Sequence, residues 1–149
     1  MQAVNILNIN VFNNPAVFTS PFQFEILFES LKDLRSDLEW KLTYITNPES
    51  QDDDQILDIL TVGPVTKGTH KFYLQADPPD PSNIPQEHLL GPTAIIITCS
   101  YNDQQFFRVG YYLNNELTHH GNISSYENIE RNILYDQPRI VRFMITWDD

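Results

Sequence analysis

Cysteine is almost absent. Cys99 stands alone in 149 residues, which excludes an intramolecular disulfide framework and suits a reducing compartment. Set inside the apolar run AIIITCSY, it reads as a small core residue. Glycine is scarce too, with five in the chain, and none forms a glycine-rich phosphate loop. A GxSxG elbow and a CxxC pair are also missing, so the usual catalytic scaffolds are excluded. No stretch approaches the ~18 apolar residues of a membrane span, and MQAVNILNIN lacks the basic start and long apolar run of a signal peptide. Basic residues are few: 9 Lys and Arg face 20 Asp and Glu, giving a net charge of −11. Such a surface repels phosphate, which disfavours direct nucleic-acid readout and favours a basic partner, with solubility as the plain alternative. A cytosolic or nuclear location is expected.

What is present is apolar and aromatic. Hydrophobic residues make up 41% of the chain, including nine Phe, seven Tyr and two Trp, enough for a packed core and against disorder. One globular domain over residues 1–149 is expected. The dominant pattern is alternation with period two, the mark of strands with one buried face. In PFQFEILFE, Phe22, Phe24, Ile26 and Phe28 share a face; in DLEWKLTY, Leu38, Trp40, Leu42 and Tyr44 do the same. Six more strands are expected in VNILNINVF, QILDILTV, HKFYLQA, TAIIITCSY, QFFRVGYYL and RIVRFMITW, separated by turn formers such as Asn47-Pro48, Gly63-Pro64 and DPPDPSNIP. Asn102-Asp103 is expected to close a hairpin, since both residues tolerate positive φ. Eight strands at this spacing predict an all-β sandwich. SSYENIERNIL is expected to be one short helix near the C-terminus, with Ser124 and Glu127 as a capping box.

Candidate chemistry is thin. His119-His120 point apart and lack partners for a metal site, and Asn122-Ile123-Ser124 matches a glycosylation acceptor without a secretory route. ESQDDDQILD gathers Glu49, Asp52, Asp53, Asp54 and Asp58. A solvated charge run, a docking patch for basic side chains and a calcium loop all fit this stretch. The last would make the chain a calcium-dependent lipid-binding β-sandwich built on Asp52 to Asp58, with Asp77 and Asp80 joining if their loop folds to the same end.

FFRVGYYLNN is more informative. Alternation puts Phe107, Val109, Tyr111 and Leu113 on a core face, and Phe106, Arg108, Gly110 and Tyr112 on the other. Arg, Tyr and Phe are enriched where proteins meet, and glycine lets a second backbone come close; the plain alternative is Arg108 stacked on Tyr112. Through the Asn102-Asp103 hairpin, Ala94, Ile96 and Thr98 should lie on the same side as Arg108 and Tyr112. That makes a small apolar surface rimmed by charge, a typical interaction site.

Read together, NNPAVFTSPFQFEILFE, SDLEWKLTYI, DQILDILTVGPV, KFYLQADPPDP, FFRVGYYLNNE and RNILYDQPRIVRFMITWDD closely resemble the anti-silencing function family of histone chaperones, in the same order along the whole chain. The resemblance implies an immunoglobulin-like β-sandwich without catalytic activity or cofactor. It implies a nuclear protein that binds one heterodimer of histones three and four and blocks its pairing into a tetramer. Positions matching the family's contacts with histone three are Glu49, Asp54, His88, Pro92, Ala94, Arg108 and Tyr112. Asp54 suits a histone arginine and Arg108 a histone carboxylate, each as a charge-assisted hydrogen bond. The family has an acid where His88 stands and valines at Pro92 and Ala94; losing the central valine side chain implies about 1 kcal/mol less apolar contact where that contact is fully buried. Arg139 and Val141 match the strand that pairs with the tail of histone four. A separate side receives a basic segment from co-chaperones of the HIRA and chromatin assembly factor types, and there Phe28, Ser36, Asp37, Leu38, Glu39, Leu60 and Val62 match or lie near. The family's usual acidic pair is reduced to Ser36-Asp37.

Overall fold

The alternating segments become strands of two sheets packed face to face. A computed structural model describes residues 2–47, 49, 54–118 and 125–148. Sheet A is β1 (Val4–Phe12), β3 (Phe22–Ser30) and β6 (Gly68–Ala76), with β3 in the middle. Sheet B contains β2 (Ala16–Val17), β4 (Leu38–Ile45), β5 (Gln55–Val62), β7 (Gly91–Tyr101), β8 (Gln104–Leu117) and β9 (Ile129–Ile133) in the order β2-β9-β8-β7-β4-β5. A further short strand, β10 (Arg139–Arg142), pairs with β8 beyond β9. All the registered strand pairs are antiparallel. The expected immunoglobulin-like β-sandwich is therefore present.

The core is the sum of the even-numbered faces of β3 and β4 and the odd-numbered faces of β7 and β8. Phe22, Phe24, Ile26 and Phe28 meet Leu38, Trp40, Leu42 and Tyr44, with Ile95, Ile97, Cys99, Phe107, Val109 and Leu113 completing the layer. Trp40 is the hub: its ring lies against Phe28, Phe72 and Phe107 with centroids 5.2–6.4 Å apart. Tilted and edge-on aromatic contacts of this kind add to plain area burial. Arg131 is only 1% exposed. Its guanidinium carbon sits 3.8 Å above the Phe22 ring centroid, and its nitrogens donate to the carbonyls of Ser20 and Pro21 at 2.8 and 3.2 Å. Burial pulls its pKa down to about 10, against a smaller opposing influence from Tyr44.

Three expectations are corrected. The segment read as a helix near the C-terminus holds a single 3-10 turn, Tyr126–Asn128, and then runs extended as β9. Ile129, Arg131 and Ile133 alternate inward with period two, a spacing that overlaps the helical one over so few residues. Ser125 caps the turn by accepting from the Glu127 N–H at 3.2 Å; Ser124 lies outside the described residues, as do Asp52, Asp53, His119, His120 and Asn122. A four-residue helix, α1 (Gln86–Leu89), occurs instead before β7. The strand expected over RIVRFMITW stops at Arg142, after one more ladder-like bond from Phe143 N–H to the Phe106 carbonyl at 2.9 Å. Phe106, finally, does not join an open contact face, because Trp147 packs edge-on over it with ring centroids 4.7 Å apart.

The hairpin expectation holds. Asn102 and Asp103 both take positive φ, 50° and 63°, the combination of a tight two-residue turn matched to strand twist. Pairing of Tyr101 with Gln104 follows directly.

Tyr111 offers a test of the packing. It is buried, its hydroxyl makes no hydrogen bond among the described residues, and burial pushes its pKa up to about 12. A raised tyrosine pKa gives stability that is complete below the ordinary value of 10 and is lost as pH climbs through 12. Tyr111→Phe should therefore change the melting temperature at pH 8 by no more than about 4 °C, yet melt above the parent protein at pH 11. Circular dichroism melts at both pH values check this; identical losses on going to pH 11 would contradict it.

Candidate functional site

The outer face of sheet B forms a continuous furrow. Its centre is set by register: Thr98 lies opposite Arg108, Ile96 opposite Gly110 and Ala94 opposite Tyr112. On the other side of β8, Val141 pairs with Arg108 and Arg139 with Gly110. Side chains of paired residues share a face, so Ala94, Ile96, Arg108, Tyr112, Arg139 and Val141 converge on one concavity of about 350 Å³, closed at one end by Phe143. Gly110 supplies the floor. A Cβ added there would meet nothing closer than the Ile95 carbonyl at 3.9 Å, so glycine serves here to keep the floor low and not to relieve a clash.

The furrow widens past Arg108 over β4 and β5, into a concavity of about 570 Å³ lined by Lys41, Thr43, Ile45, Asp54 and Ile56. A shallow apolar annex joins Ile45, Pro92, Thr93 and Ala94 to Tyr112. Tyr112 is 46% exposed, and the cation–π contact found among the described residues is Arg131 on Phe22, not Arg108 on Tyr112. Arg108 is thus exposed without a ring stacked on it among the described residues, beside Ile96 and Val141.

Of the residues matched to histone three, Asp54, Pro92, Ala94, Arg108 and Tyr112 all line this furrow or its annex. His88 stands on α1, ahead of β7, with its backbone N–H donating to the Pro85 carbonyl at 2.8 Å. Glu49 is exposed in the connection after β4, its N–H donating to the Asn47 side chain at 3.0 Å. Sequence reasoning missed Lys41, Thr43 and Ile45 as furrow residues, although the alternation of DLEWKLTY already puts Lys41 and Thr43 on the face opposite Trp40 and Tyr44.

The second edge of β10 has no strand partner among the described residues. All four of its residues are exposed, with Ile140 and Val141 each at 45%. An open apolar edge offers unpaired N–H and C=O groups to an incoming strand.

The second group of predicted residues lies elsewhere. Leu60 and Val62 pair with Trp40 and Leu38 and face the seam where β5 approaches β6. Phe28 and Leu38 are fully buried and shape that seam from beneath. Asp37 is exposed beside it and Ser36 half-buried. Glu39 projects from β4 between the inward-facing Leu38 and Trp40, so it points to the furrow side of the sheet and not into the seam. Sequence reasoning also overlooked Gly63: a Cβ there would lie 1.8 Å from Asp37 Oδ1, so only glycine lets the Asp37 carboxylate rest on that stretch of backbone.

Asp52 and Asp53 of the acidic stretch lie outside the described residues, and among the described residues no group of three or more His, Cys, Asp or Glu converges. The Asp80 loop does fold to the same end, through paired bonds between the Gln55 side-chain amide and the Asp80 backbone at 2.8 and 2.9 Å. Its carboxylate, however, is turned onto Ser82 and Asn83 as the cap of a 3-10 turn, Pro81–Asn83.

The outer surface thus offers a furrow with an arginine among apolar residues, an open strand edge beside it and a separate apolar seam with Asp37 at its mouth. Residues 1–148 match the family model described as ASF1 like histone chaperone. Among curated proteins, the chain is 49% identical to histone chaperone asf1 of Emericella nidulans, over 99% of this chain and 55% of that protein. It is 46% identical to histone chaperone asf1 of Drosophila melanogaster, over 99% and 71%, and 46% identical to probable histone chaperone ASF1A of Arabidopsis thaliana, over 97% and 77%. The chain thus spans between about half and three-quarters of the length of these relatives. With the fold, the register of the furrow and these likenesses in agreement, the chain belongs to the ASF1-like histone chaperone family.

Proposed function

We propose that the chain is a non-enzymatic nuclear chaperone for one heterodimer of histones three and four, holding it apart from a second copy and passing it to assembly factors. The observation that carries this is the placement of Arg108, Tyr112, Ala94 and Val141 around one furrow with the open β10 edge as its wall. A helix laid in the furrow would bury apolar residues on Ile96, Ala94 and Tyr112, and give Arg108 a carboxylate and Asp54 an arginine. Arg139 and Val141 would take the strand of histone four as an added strand on β10. Because a helix in the furrow is covered on one side, the surface it uses to pair with a second heterodimer is occluded. The net charge of −11 adds repulsion toward DNA while the histones are held.

The seam between β5 and β6, with Asp37 at its mouth and Leu60 and Val62 as its walls, fits a short basic segment from co-chaperones of the HIRA and chromatin assembly factor types. A single exposed carboxylate seated on Gly63 gives that segment a charge-assisted contact in one defined place.

Four outcomes are expected. Mixed with the histone heterodimer, the chain should give one complex of one chaperone and one heterodimer by light scattering; free tetramer persisting at excess chaperone would contradict the proposal. Arg108→Glu should abolish that complex while shifting the melting temperature by no more than about 4 °C, since the guanidinium makes no internal bond among the described residues. Ala94→Val should tighten histone binding by about fivefold, the equivalent of ~1 kcal/mol of added apolar contact, and titration calorimetry reads this directly. Gly63→Ala, which displaces the Asp37 carboxylate, should weaken a basic hairpin peptide at least about tenfold and leave histone binding unchanged.

A further inference from the structure

The last residues described, Thr146 to Asp148, are tied across the base of the sandwich at every position. Thr146 exchanges two bonds with the Gln104 side-chain amide, each 3.0 Å. The Trp147 ring stacks on Tyr101 at 5.2 Å and 26° and meets Phe106 edge-on, its indole N–H donates to Gln2 Oε1 at 3.3 Å, and its carbonyl accepts from Lys32 Nζ at 3.5 Å. Asp148 completes the strap. One carboxylate oxygen accepts from the Tyr101 hydroxyl, and the other accepts from the Arg35 backbone N–H at 3.1 Å. The same Tyr101 hydroxyl accepts from the backbone N–H groups of Arg35 and Ser36, each at 3.2 Å.

These contacts converge on the chain immediately before Asp37. On its far side the same loop is held by Leu34 N–H to the Val65 carbonyl at 2.9 Å, by Lys67 N–H to Asp33 Oδ1 at 2.8 Å, and by the close fit of Asp37 over Gly63. Loops carry binding residues most precisely when a rigid frame fixes their backbone. Without Tyr101 and Asp148, two N–H groups next to the site would lose their acceptors and the loop would be anchored on one side only. The Tyr101 bond holds the Asp148 carboxyl below its usual range.

We infer that Tyr101 and Asp148 are positioning residues for the seam at Asp37: they hold the Arg35–Ser36 backbone so that the Asp37 carboxylate is presented in one orientation to a basic partner. This rests on the seam being a site for basic segments, as proposed above. Neither residue needs to touch the partner. The geometry of the acceptors, and not the extra negative charge of Asp148, is what the site uses.

The test is calorimetric titration of the full chain with a synthetic β-hairpin peptide bearing two adjacent arginines, together with amide hydrogen exchange at Arg35 and Ser36. Tyr101→Phe, which changes no charge, should weaken the peptide about five- to tenfold and speed exchange at both amides, while histone binding stays as in the parent. Asp148→Ala should match it. Asp148→Asn, whose single carbonyl oxygen can replace only one of the two carboxylate acceptors, should lose less affinity than Asp148→Ala does. The inference is overturned if Tyr101→Phe and Asp148→Ala bind normally while Asp37→Arg abolishes binding, or if Asp148→Asn and Asp148→Ala lose affinity alike with Tyr101→Phe unaffected, a pure charge effect. Should Asp37→Arg bind the peptide as well as the parent does, the seam itself is misassigned, a failure recognisable apart from any change in exchange at Arg35 and Ser36.

Discussion

The pairing of β7 with β8 is the constraint on which the rest depends. The two-residue turn at Asn102-Asp103 starts it, an irregularity between Ser100 and Cys99 shifts it by one residue, and from Thr98 opposite Arg108 to Pro92 opposite Asn114 the register then runs without interruption. Because side chains alternate, a slip of one residue would send Val109, Tyr111 and Leu113 to solvent and drive Arg108 into the core. The cost of burying that arginine unpaired makes the observed register the only tolerable one. The turn and the bulge together therefore build the core and the furrow with one register. Stability and recognition are two faces of the same strand.

The molecule treats its two notable arginines in opposite ways. Arg131 is taken into the interior and satisfied by backbone carbonyls and the Phe22 face, where desolvation lowers its pKa. It locks β9 to the chain between β2 and β3, a duty reinforced by the Asn14 amide, which exchanges bonds of 2.9 and 2.7 Å with Ile133. Arg108 is left in the open above Ile96 and beside Val141. A guanidinium over apolar surface keeps its donors available and gains strength as a partner excludes water. The difference lies in strand position, since both residues sit on strands rich in apolar neighbours.

β8 also organises the surface around it. Its outer side gives the furrow, its free flank is divided between β9 and β10, and its first residues carry Phe106, over which the closing strap lies. The seam at Asp37 is on the opposite flank of the sheet, where β5 is the edge. The furrow and the seam thus lie on opposite flanks of sheet B and share no lining side chain. The strap from Thr146 to Asp148 reaches back to the loop before that seam, so the segment that follows β10 also frames it.

Alternation made most of the fold legible from residues alone: the even face of β3 and β4, the two faces of β8 and the Asn102-Asp103 hairpin all follow from local chemistry of period two and of positive φ. The family resemblance carried the site residues, of which Asp54, Pro92, Ala94, Arg108 and Tyr112 come together around the furrow. What failed was short-range ambiguity. Five residues of β9 fit a helix as well as a strand until β8 offers a ladder to pair with, and Phe106 reads as a contact residue until Trp147, 41 positions later, covers it. The seating of Asp37 on Gly63 and the convergence of Tyr101 and Asp148 on the Arg35–Ser36 backbone leave no periodic trace, because each joins residues distant in sequence through single atoms. Local pattern determined which faces this chain would have; only the packing of strand against strand decided which of them would stay open.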